Sequence, residues 1–273
     1  MGGAADRFSL VIGNALVGNS IDTPALEITL AGPTLEADGD LACVMVGAPF
    51  SMTSDRQNLR AGKTFTLHAG ERLQIGGTPS GMRGYLCVLG GFSGSLVLGS
   101  RSSLTSVTAG MKLACSTSVA PTRFMQAVFT WNQEPNTLRI IDGLQADWFD
   151  LDLFLAREYR VSPTSNRMGL RLQGEPLRFP SQELLSEPVS PGAVQVTRDG
   201  QCIILGVDGQ TIGGYPKIAQ VVSADVDKLG QMRPGESVRF LRVSLEQAEI
   251  LFRQKCAELD EWVIRLLETS VSG

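Results

Sequence analysis

The stretch "DGQTIGGYPKIA" (208–219) sets an acid, an amide, a hydroxyl, two adjacent glycines, a tyrosine, a proline and a lysine between two apolar runs. Gln210, Thr211, Tyr215 and Lys217 offer hydrogen-bond donors, and Lys217 adds a positive charge. Gly213 and Gly214 allow positive φ and let the backbone approach a bound group closely. Such a loop suits a small anionic or amide-bearing ligand: a carboxylate, a carbamate or a phosphate. The same residues also make a polar hairpin turn. Short loop motifs often match by chance, so residue types alone favour the turn.

Two further segments carry chemistry-bearing side chains. In "SPTSNRMGLRLQG" (162–174), Arg167 stands at a Ser/Asn-rich turn before a strand, where its guanidinium can fork onto a carboxylate. In "SEPVSPGAVQVTRDGQ" (186–201), Gln195 lies inside a strand, a position that often faces solvent. Asp208 and Asp225 are general-base candidates only as any carboxylate in a cleft is. One histidine, His68, sits in an alternating strand pattern and is given no role; a His-rich metal site is excluded. No phosphate-binding G-x-x-x-x-G-K-[ST] loop occurs, and no G-x-G-x-x-G opens a helix.

These segments belong to a chain of 273 residues with 43% hydrophobic and 19% charged residues, the composition of a globular protein. A net charge of −4, no basic block and few aromatics argue against nucleic-acid binding. No apolar run approaches membrane-spanning length and none resembles a signal peptide, so the expectation is a cytoplasmic protein that engages no membrane. The five cysteines (Cys43, Cys87, Cys115, Cys202, Cys256) are far apart and mostly inside apolar runs. They read as buried free thiols. No metal site is expected.

The elements that must hold the loops are mainly short strands punctuated by Gly and Pro, among them "LACVMV" (41–46), "GLRLQ" (169–173), "CIILG" (202–206) and "SVRFLRV" (237–243). Such spacing suggests antiparallel barrels or sandwiches. Three helices are predicted. Asp6 caps the first, with Phe8, Val11, Ile12, Ala15 and Leu16 on one face and Gly18 as the stop. The second covers 147–158. The third begins with a Ser244/Gln247 capping box and carries Leu245, Ala248, Phe252, Leu259 and Val263 on one stripe. A faint repeat ("LEITLAGPTL" with "LRLQGEPL") suggests two related β-rich halves joined near 120–136.

Three blocks, "SNRMGLRLQG" (165–174), "EPVSPGAVQVTRDGQCIILGVDGQTIGGYP" (187–216) and "QMRPGESVRF" (231–240), resemble the signature of allophanate hydrolase subunit 2 proteins. That family includes the C component of 5-oxoprolinase, the kinase A inhibitor antagonist and part of the carboxyltransferase region of urea carboxylase. "NALVGNSIDTPALEITLAGPTL" (14–35), "RGYLCVLGG" and "LRIIDGLQADWF" extend the likeness over nearly the whole chain. The resemblance implies a mainly β fold of two cyclophilin-like β-barrel subdomains. These would span 1–130 (N-terminally shortened) and 131–243, followed by a C-terminal helix over 244–273.

The resemblance also implies a function: the C component of an ATP-dependent 5-oxoprolinase-like complex that opens 5-oxoproline to glutamate, the chain being inactive alone. The implied partners are an allophanate hydrolase subunit 1-like sister protein, a third 5-oxoprolinase subunit and a small amide or carboxylate substrate. ATP acts at the level of the complex. In this reading Lys217, Gln210 and Asp208 are the catalytic residues, and Arg167, Gln195, Thr211, Tyr215, Gly213 and Gly214 bind substrate. Arg167 and Lys217 hold carboxylate or phosphate, Gln195, Gln210 and Thr211 orient the amide, and Tyr215 closes the pocket. Two alternatives stand beside it: a regulatory partner of the subunit 1-type protein, and a biotin-dependent carboxyltransferase component acting on urea or a similar amide. The chain departs from the family pattern at Asn166, where an aspartate is usual, and at Ile212, where a threonine is usual. It also begins at "GGAAD" without the segment that precedes this point in relatives, so an upstream coding extension is expected.

Overall fold

The computed structural model describes all residues except 1, 104, 121, 126–133, 135, 180, 183 and 269–273. The expected junction at 120–136 lies largely outside the described residues. By contact density the chain divides into two compact units, one of Asp6–Val128 with Glu258–Gly273 and one of Phe129–Ala257 with Met1–Ala5.

The first unit opens on the helix Arg7–Val17. The Asp6 carboxylate accepts from the Ser9 backbone N–H at 3.0 Å, satisfying one orphan donor, and Gly18 ends the helix at φ 94°. Strands of this unit form two four-stranded sheets. In one, the apolar runs Leu41–Gly47 and Arg83–Val88 pair antiparallel at the centre. A core that includes Met45, Leu73, Ile75 and Leu86 lies between strands of both sheets.

The second unit closes. Seven strands form a barrel in the order Tyr159–Val161, Gly169–Gln173, Cys202–Leu205, Ala193–Val196, Lys217–Val221, Thr137–Asp142 and Ser237–Arg242, which returns to the first. All pairings are antiparallel except that of Ser237–Arg242 with Thr137–Asp142. Alternating residues such as Leu170 with Leu172 and Val238 with Phe240 point into the barrel. The Phe154 ring stacks on Phe240 with centroids 4.7 Å apart. A barrel was expected in each half; among the described residues only the second half forms one, and the first keeps its strands in two sheets.

The second predicted helix is shorter than its pattern, a 3₁₀ turn Ala146–Trp148 and then Leu151–Ala156. Asp150 starts the helical part by accepting from the Leu153 N–H at 2.9 Å, which splits the segment. The last helix, Leu245–Glu268, has both arms of its capping box. Its buried stripe differs from the expected one. Leu245 and Phe252 are exposed, and Ala248, Leu251 and Lys255 face inward. Lys255 escapes a count of apolar residues, yet its ammonium is satisfied by the Ala224 carbonyl at 2.9 Å and by Asp227 at 2.6 Å.

Cys43, Cys87 and Cys202 are buried free thiols. Burial pushes Cys43 and Cys202 up to about 12, which keeps them protonated and unreactive at neutral pH. No helix among the described residues is long and apolar enough to cross a membrane.

Candidate functional site

Val194 and Val196 fill the barrel core, so Gln195 between them points to the outer face of its strand. It is nonetheless only 2% exposed. What covers it is a two-stranded ribbon, Glu187–Pro188 paired with Ile212–Gly213. The loop read as a candidate from sequence therefore folds back over the barrel wall.

A β-bulge aligns the next residue. Val194 pairs with Ala219, but Gln195 pairs with Lys217, and Ile218 is the extra residue. Ile218 and Ala219 both enter the core, and the bulge thereby turns Lys217 to the same outer face as Gln195. Lys217 is buried, and its ammonium forms an ion pair with Glu187 of the ribbon. The hydrogen bond from Lys217 holds the Glu187 carboxyl below its ordinary range.

Gln145 completes the group. Its Oε1 accepts the Lys217 backbone N–H at 3.0 Å, and its Nε2 reaches Glu187 at 3.4 Å. Its own backbone N–H donates to the Lys217 carbonyl at 3.1 Å. Gly143 makes this possible, because a Cβ there would overlap the Lys217 carbonyl oxygen. Gln145 and Glu187 were not singled out in the sequence, although both lie inside the quoted family blocks. The available signal was the glycine two residues before Gln145, a mark of close backbone approach.

Gln195 Nε2 is buried and has no hydrogen-bond partner among the described residues. Such a donor costs about 1–3 kcal/mol relative to a satisfied one, and its persistence calls for an explanation. An ideal Cβ on Gly213 would stand 2.7 Å from this nitrogen and 2.8 Å from Gln210 Nε2, so two amide donors converge on one glycine. Gly213 serves by its size. Neither Gly213 nor Gly214 adopts positive φ, contrary to expectation, and a Cβ on Gly214 would meet Ser186 Oγ at an ordinary 3.5 Å. Extended strand backbone in the ribbon needs no left-handed residue.

The other predicted residues fall as follows. Arg167 and Asp208 pair through a fork, Nε to Oδ2 at 2.6 Å and Nη2 to Oδ1 at 3.2 Å. Arg167 also donates to the Gly3 carbonyl at 2.6 Å. Thr211 and Tyr215 are exposed, and the Thr211 carbonyl accepts from Val189 N at 3.0 Å to seat the ribbon. Ile212 is 63% exposed. Asn166 shapes its own turn, accepting the Met168 N–H at 2.9 Å.

Asp225 is fully buried and accepts from Arg139 N and Nε, each at 2.9 Å, with Lys228 3.2 Å away. Burial raises its pKa, but the Arg139 hydrogen bonds outweigh burial and the net shift is downward. Its charge is thus balanced by Arg139 and Lys228. His68 Nδ1 meets Asp40 Oδ2 at 3.3 Å on the surface of the first unit.

The Lys217 group thus offers an ammonium with donors to spare, two convergent amide donors and one carboxylate, under a ribbon at the barrel wall. That set suits a small ligand rich in acceptor oxygens.

Comparison with known proteins agrees with this architecture. Over 262 residues the chain is 37% identical to the 5-oxoprolinase C component of Escherichia coli, covering 90% of this chain and 84% of that protein. With the 5-oxoprolinase C component of Haemophilus influenzae the identity is 34%, over 95% of this chain and 88% of the relative. The crystal structure of the K. lactis urea amidolyase superimposes with a TM-score of 0.85 at 25% identity, over 96% of this chain but only 18% of that one. The family model for the carboxyltransferase domain, subdomain A and B, matches residues 1–242. The chain belongs to this carboxyltransferase domain family.

Proposed function

We propose that the protein is the C component of a 5-oxoprolinase-like complex, which opens the ring of 5-oxoproline to glutamate with ATP. Identity of 34–37% with two proteins that carry the name of this component, over most of both chains, supports this reading. The structural observation that carries it is the unpaired, buried Gln195 Nε2 beside Lys217. A lactam with a carboxylate presents only acceptor oxygens and one N–H. Gln195 and Gln210 donate to its oxygens. Lys217 keeps Glu187 on one proton and offers another to the substrate carboxylate.

ATP enters as co-substrate of the complex. The one ammonium in the Lys217 group is already paired with Glu187, which suits it poorly to a triphosphate, and ATP is therefore assigned to a sister subunit. Ring opening consumes one water across the amide C–N bond, with ATP hydrolysis making the step favourable. This chain contributes binding and orientation of the substrate. The partners are a subunit 1-type protein and a third subunit, in the cytoplasm. Arg167 and Asp208 brace the start of the loop through their fork, and neither acts as acid or base.

The test is reconstitution. The chain alone should leave 5-oxoproline intact, and the mixture with its sister subunits and ATP should release glutamate. Turnover by the single chain refutes the proposal. The match to a carboxyltransferase domain and the likeness to urea amidolyase favour a second reading, carboxyl transfer to a small amide. Carboxylation of urea in the presence of a carboxybiotin donor would select it.

A further inference from the structure

The first unit holds a groove of about 580 Å³ beside the strand pair Met52–Ser54 and Asn58–Leu59. This volume lies within the range of small-molecule sites, about 300–1,000 Å³. Its floor is stitched together by backbone. Thr64 N donates to the Arg123 carbonyl and Met125 N to the Gly62 carbonyl, both at 2.9 Å, and Lys63 bridges Phe124. Thr64 and Thr66 are spent on that stitching, since their hydroxyls hold Arg123 and Ala120.

What remains to face a ligand is cationic and apolar. No carboxylate lines the groove, but Arg60 and Lys63 do. Both are exposed, and neither has an ion-pair partner among the described residues. The Phe124 ring, 54% exposed, and Leu59 supply an apolar wall at the same place. Two uncompensated cations beside an open aromatic ring match an anion carried on a flat apolar body, because the guanidinium forks onto an oxyanion and the ring buries the remainder.

The geometry points to a second ligand site in this groove, for a small molecule that joins a carboxylate or phosphate oxyanion to a flat apolar group. Titration calorimetry of the full chain at low salt tests it, with phenyl phosphate and benzoate as probes and phenol as the uncharged control. At least one anion should bind saturably at one per chain. Phenyl phosphate alone would assign the phosphate, benzoate alone the carboxylate, and both the shared oxyanion chemistry. In the Arg60→Ala/Lys63→Ala variant, affinity should fall at least about tenfold with the melting temperature unchanged, because both side chains are exposed. Lys217→Ala should leave this binding intact, which separates the groove from the site on the second unit. The inference is overturned if neither anion binds, if phenol binds as well as they do, if the double variant binds unchanged, or if Lys217→Ala abolishes binding.

Discussion

A side chain at Gly213 would displace the Gln195 amide: a Cβ there would lie 2.7 Å from the amide nitrogen of a residue that is itself only 2% exposed. The neighbouring glycine is not so constrained. Gly213→Ala is therefore expected to push both amides aside and to lower the rate of the reconstituted complex about tenfold or more, since small misplacements of orienting groups are costly. Gly214→Ala should change the rate little, because its Cβ meets nothing closer than 3.5 Å. Steady-state kinetics on the two variants side by side check this; equal losses would contradict it.

The Lys217–Glu187 pair predicts a pH dependence of stability. Glu187 is held below the ordinary glutamate value of 4.5, chiefly by the hydrogen bond from Lys217. A carboxyl with a lowered folded-state pKa stabilises fully above its unfolded value and loses that contribution as pH falls through the folded value. Lys217→Met removes the cause of the shift. The stability gap between wild type and variant should be constant from about pH 6 to about pH 5, and should narrow below about pH 4.5. Urea unfolding across that range measures it, and a gap that widens on acidification has the wrong sign.

Asp225 offers a contrast, since it is fully buried against Arg139 and Lys228 and is expected to serve stability alone. Asp225→Asn leaves Arg139 and Lys228 facing a neutral amide in a buried setting. Breaking such a pair costs about 3–5 kcal/mol, or roughly 6–20 °C in melting temperature for a chain of this size. The rate per folded molecule should stay near wild type. A folded but inactive variant would place Asp225 in the chemistry instead.

The fold was legible where local signals agree. Asp6 and Gly18 bound the first helix as their types dictate, and Ser244 with Gln247 starts the last one. Short runs punctuated by Gly and Pro found barrel strands such as Gly169–Gln173, Cys202–Leu205 and Ser237–Arg242, but not Tyr159–Val161, which directly follows the second helix. Closure of the barrel rests on long-range pairing, above all the parallel match of Ser237–Arg242 with Thr137–Asp142, and no local pattern encodes that. The same limit applied to the site. Lys217, Gln210 and Gly213 were visible as polar or small residues of one loop and Gln195 as a polar residue inside a strand, but the bulge that sets Lys217 opposite Gln195 depends on a register. Gln145 and Glu187 meet Lys217 only through folding, from 72 and 30 residues away. The stripe on the last helix was misplaced because Lys255, a charged residue, takes an inward position once Asp227 neutralises it.

The unpaired Gln195 amide gives the most direct test of the account. If this donor is kept buried for a substrate oxygen, an apolar residue of similar size should serve folding as well or better and serve turnover worse. Gln195→Leu in the full chain, reconstituted with its sister subunits, should melt at or above the wild-type temperature while the ATP-dependent rate on 5-oxoproline falls by at least about tenfold. A variant with an unchanged rate would contradict the account: Gln195 would then be a tolerated defect of the barrel wall, and the ribbon over it a turn.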